Sequence, residues 1–266
     1  MPAETTFITL ISDMGYADYY TGIIKGSLYS QLPNARLIDL THRMTLHDGI
    51  VPAAFVLRNS YHMFPPNTIH MLAVDTNLHF DCRHVVFKHL GHYFIGTDNG
   101  AFSITFDDEP NEVYDISHHQ GADGTFPALE VFVPAIIRIA KGEAPSDIGL
   151  PLTDGLTKKV MPHPTLDPNY IIGAVIYSDY YGNAITNITE EMFNRVSQGR
   201  KPNITIRPMG YPIKKLGKNY LDVDTGDLVA LFNQAGYLEI AMNGGSLLKF
   251  VKAEVGVQIR IEFKSI

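Results

Sequence analysis

The stretch "FITLISDMGYADYYTGIIKGSLYSQLPNARLIDLT", residues 7–41, decides the fold class. "FITLIS" (7–12) is a short apolar run, which predicts a strand. "YYTGIIKGSLYSQL" (19–32) carries apolar residues at helical spacing, and Pro33-Asn34 supply the stop signal. "RLIDLT" (36–41) is a second strand. Strand, helix and strand joined by short loops predict a parallel pair in a sheet covered by a helix. Two acids punctuate the first junction. Asp13 follows the strand, and Asp18 stands just before the helix.

The alternation continues outward. "IVPAAFVLRNSYHMF" (50–64) reads as a helix ended by Pro65-Pro66, and "IHMLAVD" (69–75) as a third strand, again ending in an acid. "HVVFKHLGHYFIGT" (84–97) predicts a hairpin turning near Leu90-Gly91, and "EVFVPAIIRIAKG" (130–142) a helix with Gly142 as its C-cap. "GLTKKVMPHPTLDPNY" (155–170) holds three prolines and little periodicity, as a linker does. The pattern then changes. "YIIGAVIYSD", "KPNITIRP", "DLVALFN", "YLEIAMN" and "VGVQIRIEF" are short strands separated by Gly, Asn and Pro, with one helical segment, "TEEMFNRV" (189–196). The expectation is an α/β domain with a mostly parallel central sheet over residues 1–160, then an all-β barrel-like domain over 161–266.

The 266 residues suffice for one large or two smaller cores. A net charge of −7 argues against a nucleic-acid partner, which draws a basic face. No apolar run reaches 18 residues, so no membrane span is expected. The amino-terminal residues lack a secretory pattern, and the single cysteine, Cys82, fits a reducing compartment; the expected location is the cytoplasm.

In open parallel sheets, ligands bind beyond the carboxyl ends of the strands. Asp13 and Asp75 stand at such ends, Asp39 lies two residues before Thr41, and "GTDNG" (96–100) ends the hairpin with Asp98, Asn99 and Gly100. A carboxylate accepts two hydrogen bonds from a vicinal diol, which suits a ribose. The competing reading of each acid is a cap or turn residue. The dinucleotide fingerprint, the P-loop, the H-E-x-x-H pair and the G-x-S-x-G elbow are all missing. The eleven histidines, among them His118-His119, have no ligand spacing, so no metal is expected. In "YSDYYGNAITNI" (177–188), Asp179 ends a strand, two tyrosines follow, and Gly182-Asn183 makes a tight turn. Flat rings and amides there suit a purine; a hairpin turn with exposed tyrosines is the alternative.

Taken together and in order, "TLISDMGYADYYTGIIKG", "LIDLTHRMTLHDGIVPAAFVL", "TDNGAF", "SDYYGNAITNI" and "NQAGYLEIAMNGGSL" make the chain resemble the S-adenosyl-L-methionine hydroxide adenosyltransferases, relatives of fluorinase and chlorinase. The resemblance runs from about residue 7 to the end. It implies an α/β domain joined to a β-barrel, and a homotrimer with the ligand between subunits. It implies hydroxide attack at the ribose 5′ carbon of S-adenosyl-L-methionine, giving adenosine and L-methionine with no further cofactor. By resemblance Asp13 holds the ribose diol with Asp18 nearby, Asp179 meets the methionine amino group, and Asn183 and Tyr181 attend the nucleoside. Asn99 belongs to the same ligand-binding set.

The family's water-activating set is an Asp, an Arg and a His. In "VDTNLHFDCRH" (74–84) Asp75 is retained and Arg83 stands where the family's second arginine falls. In "TFPALEVFVP" (125–134) Pro127 occupies the histidine's place, and proline has no side-chain donor or acceptor. Two readings therefore stand side by side. One is a hydrolase working through Asp75 and Arg83; the other is a homologue that binds the adenosyl ligand without turnover or uses another nucleophile.

Overall fold

The computed structural model describes residues 5–44, 49–77, 83–118, 124–208, 210–213 and 215–263. Cys82 and His119 lie outside the described residues. The chain divides into two compact units, Met1–Val160 and Met161–Ile266. Its mixed α/β architecture has one sheet in each unit.

The first unit runs β1 (Phe7–Ser12), α1 (Tyr20–Gln31), β2 (Arg36–Thr41), α2 (Ile50–Arg58), β3 (Ile69–Ala73), β4 (His84–His89), β5 (His92–Thr97), α3 (Ala101–Thr105), β6 (Val113–Asp115), α4 (Val133–Ala140), α5 (Pro145–Ile148) and β7 (Leu150–Pro151). The seven strands lie in the order β2-β1-β3-β5-β4-β6-β7. The run β2-β1-β3-β5 is parallel, and β4, β6 and β7 add an antiparallel edge. Strands buried on both faces read as continuous apolar runs. β1 is of that kind, and alternation splits its side chains between two layers. Ile8 and Leu10 join Ile24 and Leu28 of α1 and Ile136 of α4. On the other face His70 of β3 and Phe94 of β5 meet Tyr61, and Phe94 meets Phe102 and Phe106 around α3. The β4–β5 hairpin turns on Leu90 (φ +47°) and Gly91 (φ +82°), the two left-handed residues of a two-residue turn.

Three expectations shift. The segment 50–64 is not one helix. α2 stops at Arg58, where the Asn59 amide donates to the Phe55 carbonyl and the Ser60 hydroxyl to the Val56 carbonyl, and a short 3₁₀ turn follows at Tyr61–Met63. These side chains compete with the backbone for the helix's own acceptors. β3 ends at Ala73, so Asp75 lies beyond the strand. The helix expected from residue 130 begins earlier, as a wide π turn over Ala128–Phe132 in which the Val133 amide reaches the Ala128 carbonyl. Pro134, on the second residue of α4, lacks an N–H, and its ring would crowd the carbonyl four residues back; widening the turn relieves that.

The second unit runs β8 (Thr165–Asp167), β9 (Tyr170–Ser178), β10 (Ala184–Thr189), α6 (Glu190–Ser197), β11 (Pro202–Ile206), β12 (Tyr211–Ile213), β13 (Lys215–Leu216), β14 (Leu228–Phe232), β15 (Tyr237–Met242), α7 (Leu247–Val251) and β16 (Gln258–Phe263). Eight strands follow one another as β12-β11-β16-β9-β10-β15-β14-β13, with β8 on β9, a nearly closed barrel-like sheet. Ile171, Val175, Ile188, Ile204, Leu238, Ile240 and Ile261 fill its core. β8 falls inside the stretch expected to be linker, and α7 is a helix that the turn-rich sequence around it concealed.

Candidate functional site

The parallel strands of the first unit end together, and their last residues form a clamp around one peptide. The Asp75 N–H donates to Asp13 Oδ2 at 2.8 Å. The carbonyl of the same peptide, from Val74, accepts from Asn99 Nδ2 at 2.8 Å. One residue on, the Thr76 carbonyl lies 3.0 Å from Nε2 of the buried His84. Three side chains, from the turn after β1, from β4 and from the turn after β5, thus fix residues 74–76. Asp75 is held at φ +48°, a left-handed conformation that costs about 1 kcal/mol outside glycine and that Asp tolerates better than most. The residue is half-buried. Burial pushes the Asp13 carboxyl above its ordinary range, the Asp75 amide pulls it back, and the negative Asp75 nearby adds a smaller push upward.

Asp13, Asp75 and Asn99 therefore come together. Asp18 behaves differently. It is exposed, and no side chain caps the first turn of α1, so the cap reading fails for it. Asn99 also accepts from the Ala101 amide at 3.2 Å, which starts α3. Between them Gly100 has φ +92°, and a Cβ there would sit 2.4 Å from Cβ of Lys159. Only glycine fits.

Arg83 is engaged elsewhere. Its Nη1 donates to both oxygens of Asp154 at 2.9 and 3.0 Å, and its Nη2 lies 3.4 Å from Asp98. Asp98, 1% exposed, also accepts from the Thr157 amide at 2.8 Å and the Thr157 hydroxyl at 3.0 Å. The guanidinium thus ties the 154–157 segment to the end of β5. Pro127 begins the π turn with helical backbone angles, where a missing N–H removes no helical bond. His118 is exposed and lies 3.8 Å from Asp115.

A second polar group stands beside the clamp. Ser12 Oγ is 2.6 Å from His42 Nδ1, and His42 Nε2 lies 3.0 Å from Asp39 Oδ1, an approach off the ring N–H axis. Lys25 of α1 holds the other Asp39 oxygen. Burial raises the Asp39 carboxyl, but its contacts with Lys25 and His42 prevail and hold it below its usual range. Ser, His and Asp in a row suggest a hydrolase triad, but Ser12 and His42 are each 2% exposed and the ring is reversed, with serine on Nδ1 and aspartate on Nε2. Ser12 is no nucleophile.

In the second unit Asp179 and Asn183 close a turn on each other. The Asn183 amide donates to Asp179 Oδ1 at 2.8 Å and its side-chain nitrogen to Oδ2 at 3.0 Å. At Gly182 (φ +84°) a Cβ would meet Ser246 Oγ at 2.1 Å. The turn projects Tyr180 and Tyr181, 78% and 75% exposed, more aromatic surface than an isolated tip normally leaves in water. Nearby, the Tyr220 hydroxyl donates to the buried Glu239 at 2.8 Å. Burial first, then Glu239, with Asp179 and Tyr181 adding, raise the Tyr220 phenol well above its ordinary range. Sequence reasoning missed Tyr220, Glu239, Ser12 and His42. Among the described residues, no three His, Cys, Asp or Glu side chains gather as metal ligands would.

The chain is thus an α/β unit with acids and an amide at its strand ends, followed by a barrel with an acid–amide turn. Residues 8–149 match the SAM hydroxide adenosyltransferase N-terminal domain and residues 173–260 its C-terminal domain, and the chain belongs to that family. It is 24% identical to a Thermus thermophilus protein named (R)-S-adenosyl-L-methionine hydrolase, over 96% of this chain and 98% of the relative. A Salinispora arenicola protein of the same name is 25% identical over 97% and 98%. The crystal structure of an uncharacterized conserved protein from Thermotoga maritima superposes with a TM-score of 0.84 at 26% identity, over 96% of this chain and 99% of that one.

Proposed function

We propose that the protein binds S-adenosyl-L-methionine and hydrolyses it to adenosine and L-methionine. The observation that carries the reading is the clamped Val74–Asp75 peptide, which holds the half-buried Asp75 on a fixed backbone beside Asp13. Asp13 takes the ribose diol, with the exposed Asp18 at the rim. Asp179 takes the methionine amino group, and Asn183 and Tyr181 take the nucleoside. A water oxygen attacks the 5′ carbon, the carbon–sulfur bond breaks, its electron pair stays on the sulfur of methionine, and the water's proton passes to Asp75. The sulfonium leaves readily, so alignment and activation of one water are the whole task. Arg83, already held by Asp154 and Asp98, serves by fixing the loop beside the site. The molecule assembles as a homotrimer with its sites between subunits.

Pure protein incubated with S-adenosyl-L-methionine releases adenosine, followed by chromatography, and Asp75→Asn abolishes the release while adenosine still binds. No adenosine above background at high enzyme concentration defeats the hydrolase. A second reading, binding without turnover, is favoured by Pro127 and by the engaged Arg83 guanidinium; calorimetric binding without adenosine release would establish it.

A further inference from the structure

The chain from buried Ser12 and His42 out to the exposed Asp39 has no part in the reaction as written, yet His42 touches the turn that carries Asp13 at several points. Its Nδ1 meets the Ser12 hydroxyl at 2.6 Å, one residue before Asp13. Its carbonyl accepts from the Gly15 amide at 2.9 Å, two residues after. Its ring takes the edge of Tyr16 at 5.0 Å between centroids. Ser12 in turn receives the Met14 amide at 3.4 Å. The turn is thus tied on both sides of Asp13 to one residue just past the neighbouring strand's end, by its ring before Asp13 and its backbone carbonyl after. Gly15, at φ +68°, gives the turn its shape but no stiffness of its own.

Asp39 faces His42 from behind, 3.0 Å from Nε2 but off the ring N–H axis. A carboxylate next to Nε2 favours the proton on that nitrogen, which leaves Nδ1 to accept from the Ser12 hydroxyl. Asp39 is in turn tethered to α1 through Lys25. The network therefore joins β1, β2 and α1 at the point where the register between β1 and β2 slips, after the Leu10–Asp39 pair.

We propose that His42 is the positioning residue for Asp13. Bonded to Ser12 and faced by Asp39, it sets the turn so that the Asp13 carboxylate keeps the Asp75 amide and meets the diol of an adenosine-type ligand. This rests on the proposed function. Asp13 reaches the Asp75 amide from the turn just past β1, where its own amide still donates to the Ala73 carbonyl of β3 at 3.3 Å. A ring that bonds before it and a carbonyl that bonds after it supply the stiffness that a two-hydroxyl contact needs.

Calorimetric titration of the full chain with adenosine tests this. His42→Phe keeps the ring's bulk and loses the Nδ1 contact; it is expected to weaken adenosine about tenfold, as losing one well-placed hydrogen bond would. His42→Asn, whose amide oxygen falls near the place of Nδ1, recovers most of that loss, which a purely space-filling role would not allow. Ser12→Ala, which deletes only the hydroxyl, weakens binding roughly threefold and carries the test if His42→Phe does not fold. In an Asp13→Asn background His42→Phe has no further effect, because the carboxylate it positions is gone. Wild-type affinity in both His42→Phe and Ser12→Ala, or losses that simply add in the double variant, overturn the assignment. If the unaltered protein binds neither adenosine nor S-adenosyl-L-methionine, the proposed function falls first and this inference with it.

Discussion

Asn99 and Asp13 grip the two ends of one peptide, so their removal should differ in kind. Asn99→Ala leaves the Val74 carbonyl without its donor and uncaps the Ala101 amide. An unsatisfied buried acceptor costs about 1–3 kcal/mol, and a comparable loss of unfolding free energy in urea is expected, together with loss of turnover. Asp13→Ala takes the acceptor from the Asp75 amide but also removes a carboxylate that burial disfavours in its charged form, and the two offset, so its effect on stability should be smaller than that of Asn99→Ala and its effect on adenosine affinity large. Paired denaturation and titration of the two variants distinguish the roles. His70 gives a third test at this scale. It is fully buried, bonded to Thr9 Oγ1 at 2.7 Å and 3.3 Å from His92, and burial first, with His92 second, pulls its pKa from 6.5 to about 3. Between those values the unfolded chain binds a proton at this ring and the folded chain does not. Stability must therefore fall as pH falls from 6.5 toward 3, by about 1.4 kcal/mol per pH unit at most, and be indifferent to this group above 6.5. Urea midpoints measured from pH 7 to pH 4 should show the loss, and His70→Gln should make the slope shallower by about one proton.

Elements were legible to different degrees, and the differences have local causes. β1, β2 and the β4–β5 hairpin were read at their observed bounds, because apolar runs and the Leu90-Gly91 turn speak through backbone preferences alone. The strand-end acids were legible too, but their partners were not. Nothing near residue 75 announces that Asn99 arrives from 24 residues further along to hold the carbonyl before it. The break after Arg58 depends on Asn59 and Ser60 bonding backward, a choice that helical periodicity does not display. Arg83 shows the same limit. Its place in the sequence suggests the reacting water, and only the fold reveals Asp154, 71 residues on, holding it. Asp154→Ala should release the guanidinium. Because Asp154 is 65% exposed the pair contributes little by itself. Melting temperature should change slightly, while any rise in turnover would show that Arg83 is held back from the site, and a fall that its anchoring is what the site uses.

At the scale of the molecule, each compact unit carries part of the proposed site, Asp13, Asp18, Asp75 and Asn99 in the first and Asp179, Tyr181 and Asn183 in the second. A trimer whose sites lie between subunits makes a sharp prediction from that division. Asp13→Ala and Asp179→Ala, each alone, should abolish adenosine release. Unfolded together in equal amounts and refolded as mixed trimers, they should regain about one quarter of wild-type activity, since each site draws its first unit and its second unit from different, independently chosen chains. Sites built within single chains would regain nothing, because every chain then carries one defect. Light scattering fixes the oligomeric state of the same preparations, and a monomer would remove the premise. Recovery near one quarter, in a sample that scatters as a trimer, would locate the chemistry between neighbours without any ligand-bound structure.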